Sequence, residues 1–290
     1  MDHTEFMAPT SLEEIFNVMG EVDGADVRFI AGGTNLIPYI RGGWVSPDVI
    51  IDLGTGKSLD HIREEDNMIS IGATTTITEL VESEFLQNQC PIISRAGRHL
   101  GNPLVRNRAT IGGNLANASP GADMAPPLLA LEAMVHTEGA DGKQRKIPVD
   151  TFFKGKLETV LDKSEIVTHI TVAKPKNPES MSQIKLGLRN AGSISLMNVA
   201  VTLEMDGKVC QKARIGLCPV AVTPIRAYRT EEMLEGREID DALLNECSTL
   251  LKGELEPRKH SVRASVEYRK YVAAVLFKRA VHEALRGSER

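Results

Sequence analysis

The sequence predicts an α+β protein: a first domain of two subdomains, then a C-terminal domain of antiparallel sheet packed by a helical group. Three observations predict it. Short apolar strands at 27–30 and 49–53 bracket a glycine-rich loop, as in a βαβ-like unit. Lys174-Pro175-Lys176-Asn177-Pro178 reads as a linker, because proline and the residue before it resist helix and central strand alike. Beyond it, Asp206-Gly207 between two apolar runs is the strongest hairpin signal in the chain. The expected boundaries are 1–176, with subdomains of about 1–55 and 56–176, and 177–290.

In chain order, Ser11 and Glu14 have capping-box spacing, and Leu12, Ile15, Phe16 and Met19 share one helical face that Gly20 is expected to stop. Residues 68–72 alternate as a strand, and 76–86 and 91–100 read as helices. Strands are expected at 134–137, 147–149 and 165–172, with 139–142 as a polar turn. In the C-terminal part, 181–188, 194–205 and 208–217 read as strands, and 229–234, 240–251 and 265–285 as helices.

Composition bounds the function. With 290 residues the chain can bury about three quarters of its unfolded surface. A net charge of −5 argues against a nucleic-acid or anionic-membrane surface, and no apolar run approaches a membrane span. The acidic start, Met1-Asp2-His3-Thr4-Glu5, lacks a signal-peptide pattern, so the expected compartment is the cytoplasm. Cys90, Cys210, Cys218 and Cys247 are scattered with no CxxC, and the histidines form no HxxxH or HExxH, so no metal or iron–sulfur site is proposed.

Two stretches carry the chemistry. Thr110-Ile111-Gly112-Gly113-Asn114 follows Arg106 and Arg108 and leads to Asp123, then to an apolar run from Leu128 that is expected to be a helix. Arg28-Phe29-Ile30 runs into Ala31-Gly32-Gly33-Thr34-Asn35-Leu36. Glycine pairs let backbone N–H groups approach a ligand, and successive N–H groups form an anion-binding concavity. Neither stretch is GxGxxG or GxxxxGK[ST], and each alone is more often an ordinary turn. Two of matched chemistry point to one diphosphate ligand. Asp123 reads as a helix N-cap, as a hydroxyl-binding carboxylate, or as both. Arg106 and Arg108 are as readily a solvated loop as a ligand or partner contact. Lys185 on its own reads as a solvent-facing strand residue, and Ile194 as core. No acid–base pair or nucleophile can be argued from spacing.

AGGTNL at 31–36 together with RNRATIGGNLANASPGAD at 106–123 resembles the FAD-binding subunit of the molybdenum hydroxylase family. That family includes xanthine dehydrogenases, the medium subunit of carbon monoxide dehydrogenase, and nicotinate and 4-hydroxybenzoyl-CoA relatives. The likeness runs over nearly the whole chain, although the cysteine-bearing insertion of the 4-hydroxybenzoyl-CoA reductases is missing. The resemblance implies an FAD-binding domain of the vanillyl-alcohol-oxidase/PCMH type. It also implies an electron-transfer subunit that works beside a molybdopterin-binding large subunit and an iron–sulfur small subunit carrying [2Fe-2S] clusters. Electrons would pass to NAD or another acceptor. It implies FAD contact from 28–36, 110–114, Asp123 and Lys185. It further implies that Leu100 and Ile166 line the cofactor and that the Ser193-Ile194 region covers the flavin. Leu104 stands where the family often has Gln, so no side-chain contact is carried over there. The rival readings are a free-standing flavin oxidoreductase of the same superfold, such as the enolpyruvyl-sugar reductases, and a non-catalytic assembly subunit. The first lacks an identifiable proton donor, and two intact glycine motifs argue against the second.

Overall fold

A computed structural model describes residues 4–22, 24–259 and 261–288; Met1, Asp2 and His3 of the acidic N-terminus lie outside the described residues. Three short strands, β1 (Glu5–Met7), β2 (Val27–Ile30) and β3 (Val49–Asp52), form a parallel sheet in the order β1-β3-β2. Helices α1 (Leu12–Glu21) and α2 (Leu36–Arg41) connect them. Ser11 caps α1, its Oγ accepting from Glu14 N–H at 3.1 Å. The Glu14 carboxylate accepts from Thr10 N–H at 2.7 Å, so the return bond of the expected capping box falls one residue earlier. Gly20 does not stop α1, which runs to Glu21; the left-handed glycine of the following turn is Gly24, at φ +84°. Ile15, Val49, Ile51, Leu59 and Ile166 form the core of this subdomain, with Phe16, Met19 and Phe29 packed on it.

A five-stranded sheet follows, built from β4 (Ile62–Glu65), β5 (Met68–Gly72), β6 (Met134–Gly139), β7 (Gln144–Pro148) and β10 (Glu165–Ala173) in the order β4-β5-β10-β6-β7. A two-stranded ribbon, β8 (Phe153–Gly155) and β9 (Glu158–Thr159), lies beside it. Between β5 and β6 come α3 (Ile77–Glu82), α4 (Glu84–Gln89), α5 (Pro91–His99), α6 (Pro103–Arg106), α7 (Ile111–Ala116) and α8 (Ala125–Ala130). The single helix expected over 76–86 is broken at Ser83, whose extended backbone ends α3 while its Oγ caps α4 through Leu86 N–H. Ile69, Ile71, Ile170 and Val135 turn inward from this sheet onto the helices. The opposite face carries His61, His169 and His136; the last two rings stack at 4.0 Å. Burial and the neighbouring cationic groups hold the His169 imidazole at about 4.

The third unit is an antiparallel sheet, β11 (Met181–Leu186), β12 (Met197–Asp206), β13 (Val209–Cys218) and β14 (Ile225–Arg226), in sequence order. Helices α9 (Tyr228–Leu234), α10 (Asp241–Glu254) and α11 (Val266–Ser288) pack with it, sharing a core around Leu203, Ile215, Leu244 and Phe277. The hairpin is present with its turn one residue on: Asp206 pairs with Val209, so Gly207 (φ +57°) and Lys208 form the loop. The strand expected from 194 begins at Met197, and Ile194 lies in the loop before it, 52% exposed rather than in the core. This sheet sits directly on α8. A Cβ on Gly216 would lie 2.1 Å from the Pro126 carbonyl oxygen, and Thr202 Oγ1 donates to the Ala130 carbonyl at 2.9 Å. Just past the end of α8, Glu132 accepts from Lys212 and Arg226 of the third unit and forms an ion pair with Arg214 at 2.8 Å. Burial alone would raise this carboxyl, but the bonds and charges of Lys212 and Arg214 hold it at about 2. No helix among the described residues is long and apolar enough to cross a membrane.

Candidate functional site

The two glycine stretches meet. Ala31 to Asn35 links β2 to α2, and Gly33 takes φ +69°, a conformation glycine adopts without penalty. A Cβ on Gly32 would fall 1.8 Å from the Arg108 carbonyl oxygen and 3.0 Å from Ala109 Cα. Backbone therefore presses on backbone where the first stretch touches the second. The N–H groups of Gly32, Gly33, Thr34 and Asn35 have no acceptor among the described residues, while the Gly33 and Asn35 carbonyls start α2 by accepting from Ile37 and Tyr39. Four successive donors without a protein partner, three of them on half-buried residues, are what a diphosphate needs.

The second stretch corrects its expected form. It is a helix start and not a glycine turn: Thr110 is the N-cap of α7, with Oγ1 accepting from Gly113 N–H at 3.1 Å. Ile111 N–H donates to the Thr75 carbonyl, Gly112 N–H to Ala73, and Asn114 N–H to Thr110. The N–H groups of 111–114 are thus engaged within the protein. Gly112 is required by packing, since a Cβ there would lie 2.6 Å from Ala73 Cβ. Nor does α8 offer donors at its start: Ala125 N–H goes to the Ala122 carbonyl, and Pro126 and Pro127 have none. Asn114 Oδ1 accepts from Met124 N–H at 3.3 Å, tying this helix to the next.

Asp123 is not the cap of α8; that position is Met124, which makes no side-chain cap bond. Its carboxylate is instead a buried hub, 7% exposed. Oδ2 accepts from Lys185 Nζ at 2.7 Å, Oδ1 from Ser195 Oγ, and the Asp123 carbonyl from Asn198 Nδ2 at 3.1 Å. Lys185 also donates to the His99 carbonyl at 2.8 Å. Its side chain is 7% exposed, so it is not the solvent-facing residue that a lone strand lysine suggests. Gln183 extends the network, donating to Asn198 Oδ1 at 2.7 Å and meeting His99 Nδ1 at 2.9 Å. Leu100 is buried at the end of α5, its carbonyl accepting from Arg106 at 3.1 Å. The loop after β11 closes against this region through Gly192 N–H to the Gly101 carbonyl at 2.9 Å, and Ile194 packs over Gly121.

Two family models match this chain: FAD binding domain in molybdopterin dehydrogenase over residues 2–175, and CO dehydrogenase flavoprotein C-terminal domain over 182–284. The chain belongs to the FAD-binding medium subunits of the molybdenum hydroxylase family. It is 32% identical over 280 residues to the carbon monoxide dehydrogenase medium chain of Afipia carboxidovorans, covering 97% of this chain and 96% of that one. It is 30% identical over 283 residues to the nicotinate dehydrogenase FAD-subunit of Eubacterium barkeri, covering 96% and 95%. Among solved structures, it matches carbon monoxide dehydrogenase from Hydrogenophaga pseudoflava with a TM-score of 0.93 at 30% identity over 98% of each chain. Quinoline 2-oxidoreductase from Pseudomonas putida 86 matches at 0.92 and 28%, over 99% of this chain and 98% of that one.

For a medium subunit of this family, the chain offers a donor set that fits FAD: free N–H groups for the diphosphate at 32–35, and a buried ion pair beside a half-open loop at 185–194. Not every residue expected at the site gathers there. Arg28 pairs with Asp26 at 3.1 Å on the surface, Phe29 packs on the first core, and Ile166 is buried in that core. Ser195, Asn198, Gln183 and His99 were missed by the sequence reading; the one signal was an Asn amid the apolar run of β12.

Proposed function

We propose that this chain holds FAD with its diphosphate on the N–H groups of 32–35, and that its subunit passes electrons from a partner's iron–sulfur clusters to NAD or another acceptor. The observation that carries the reading is the row of four unpartnered donors at Gly32–Asn35, abutting Arg108 and Ala109. FAD supplies the redox chemistry. The chain's residues bind, orient and shield. Lys185 keeps a cation in a low-dielectric setting where it can balance negative charge gained on reduction, and Asp123 fixes its position. Ile194 gives an apolar cover, and Leu100 a buried wall. Thr110, Ile111, Gly112, Gly113 and Asn114 hold the second loop rigid against the first through the bonds of α7.

Substrate oxidation belongs in this reading to a molybdopterin-binding large subunit, which explains why this chain needs no acid–base pair. The domain division remains 1–176 and 177–290, and the proposed compartment is the cytoplasm, where four unpaired buried cysteines stay reduced. The test is the flavin spectrum of the purified subunit and of Gly33→Val, in which a β-branched residue would have to adopt φ +69°. We expect bound FAD in the parent and its loss in the variant. Full FAD occupancy in Gly33→Val overturns the diphosphate assignment.

A further inference from the structure

Arg269, on the first turn of α11, is a buried cation with no carboxylate partner among the described residues. It is 5% exposed. Nη1 donates to the carbonyls of Leu196 at 3.0 Å and Pro219 at 3.1 Å, and Nη2 to Ser261 Oγ at 2.9 Å. Burial works against its charged form, and so do the like charges of Arg258 and Arg263. An apolar side chain of similar volume would fill the space at lower cost. What only the guanidinium provides is geometry: a planar fork that reaches three segments from one point.

Those segments matter because of what adjoins them. Leu196 follows Ser195, whose Oγ donates to Asp123. Leu196 N–H donates to the Leu186 carbonyl at 2.8 Å, and Leu186 is the neighbour of Lys185. The stretch at 195–196 is therefore pinned by β11 through its N–H and by Arg269 through its carbonyl. We propose that Arg269 is a positioning residue for the flavin site: by fixing the Leu196 carbonyl it sets Ser195 against Asp123, and through Asp123 the Lys185 ammonium. It also sets where the loop carrying Ile194 re-enters the sheet. The inference rests on the proposed place of Lys185 beside the flavin.

The test is a redox titration of the flavin in the purified complex for Arg269→Lys, Arg269→Gln, Ser195→Ala and Lys185→Met, with FAD content and Tm measured in parallel. Arg269→Lys keeps the charge but loses the fork. Ser195→Ala reaches the same network without touching α11, so it answers even if the Arg269 variants do not fold. Expected is a lower flavin potential in all four, read as an oxidised-to-reduced ratio at fixed poise raised at least about twofold. The Arg269→Lys and Ser195→Ala effects should be less than additive when combined. A lowered Tm with unchanged potential in Arg269→Lys or Ser195→Ala, while Lys185→Met shifts it, makes Arg269 purely structural and overturns the inference. An unchanged potential in Lys185→Met removes the underlying reading and the inference with it.

Discussion

Lys185 Nζ lies 2.7 Å from Asp123 Oδ2, joining the first strand of the C-terminal sheet to the loop after the second glycine stretch. Both side chains are nearly buried, so the pair is sensitive to the loss of either member. Lys185→Met leaves a buried carboxylate without its cation and should cost about 3–5 kcal/mol of stability. It should also lower the flavin potential, because the remaining charge repels the negative charge gained on reduction. Asp123→Asn in the Lys185→Met background should recover part of the Tm. A double variant no more stable than Lys185→Met would refute the pairing as the source of the loss.

Gly32 is predicted to be the least replaceable glycine of the first stretch. A Cβ 1.8 Å from the Arg108 carbonyl oxygen forces the two loops apart, since backbone cannot step aside as a flexible side chain can. Gly32→Ala should lose bound FAD and lower Tm. Gly20→Ala, inside α1 with open space around it, should raise stability by about 0.5–1 kcal/mol. Paired thermal melts and FAD content check both, and an FAD-replete Gly32→Ala would count against the loop contact.

Acid should weaken the fold through the histidine row. The His169 imidazole titrates near 4 in the fold against 6.5 unperturbed, and burial lowers His136 and His61 as well. A base whose folded pKa is depressed takes its proton first in the unfolded chain. The stability it contributes is complete above pH 6.5 and is lost as pH falls towards about 4. His169→Gln should flatten Tm against pH across that window; an equally steep profile in the variant would assign the acid sensitivity elsewhere.

Glu132 should act as an interdomain clasp. Its carboxyl is held at about 2, so its contribution is complete above about 4.5 and is lost progressively as pH falls from there through about 2. The site is partly exposed, so Glu132→Gln should cost on the order of 1 kcal/mol near neutral pH. High salt should shrink the difference between variant and parent. A loss that grew with salt would contradict an ionic origin.

Much of this architecture is legible in the residues themselves. Val27–Ile30, the hairpin around Gly207 and the long α11 follow from local pattern, because period and turn chemistry act over a few residues. The glycine stretches are legible as a pair, yet their roles are not. Gly112 is small because Ala73, 39 positions earlier, presses on it, and Gly32 because Arg108 does. Asp123 looks like a cap because a helix follows, but its partners are Lys185 and Asn198 on the C-terminal sheet and Ser195 in the loop between their strands. Such long-range contacts leave no periodic trace. Ile194 reads as core because isoleucine normally is, and the loop that exposes it is set by Gly192 bonding to Gly101.

Helix α8 has all six of its residues buried and is overlaid by β13 so closely that Gly216 leaves no room for a methyl group above Pro126. A wall of this kind ties the two domains together: rotating the C-terminal sheet away would strip β13 from α8 and uncover the first core, to which Ala125, Leu128, Leu129 and Ala130 belong. The two domains are thus joined through a packed wall as well as through their linker, and a change of volume on one side of it is felt on the other.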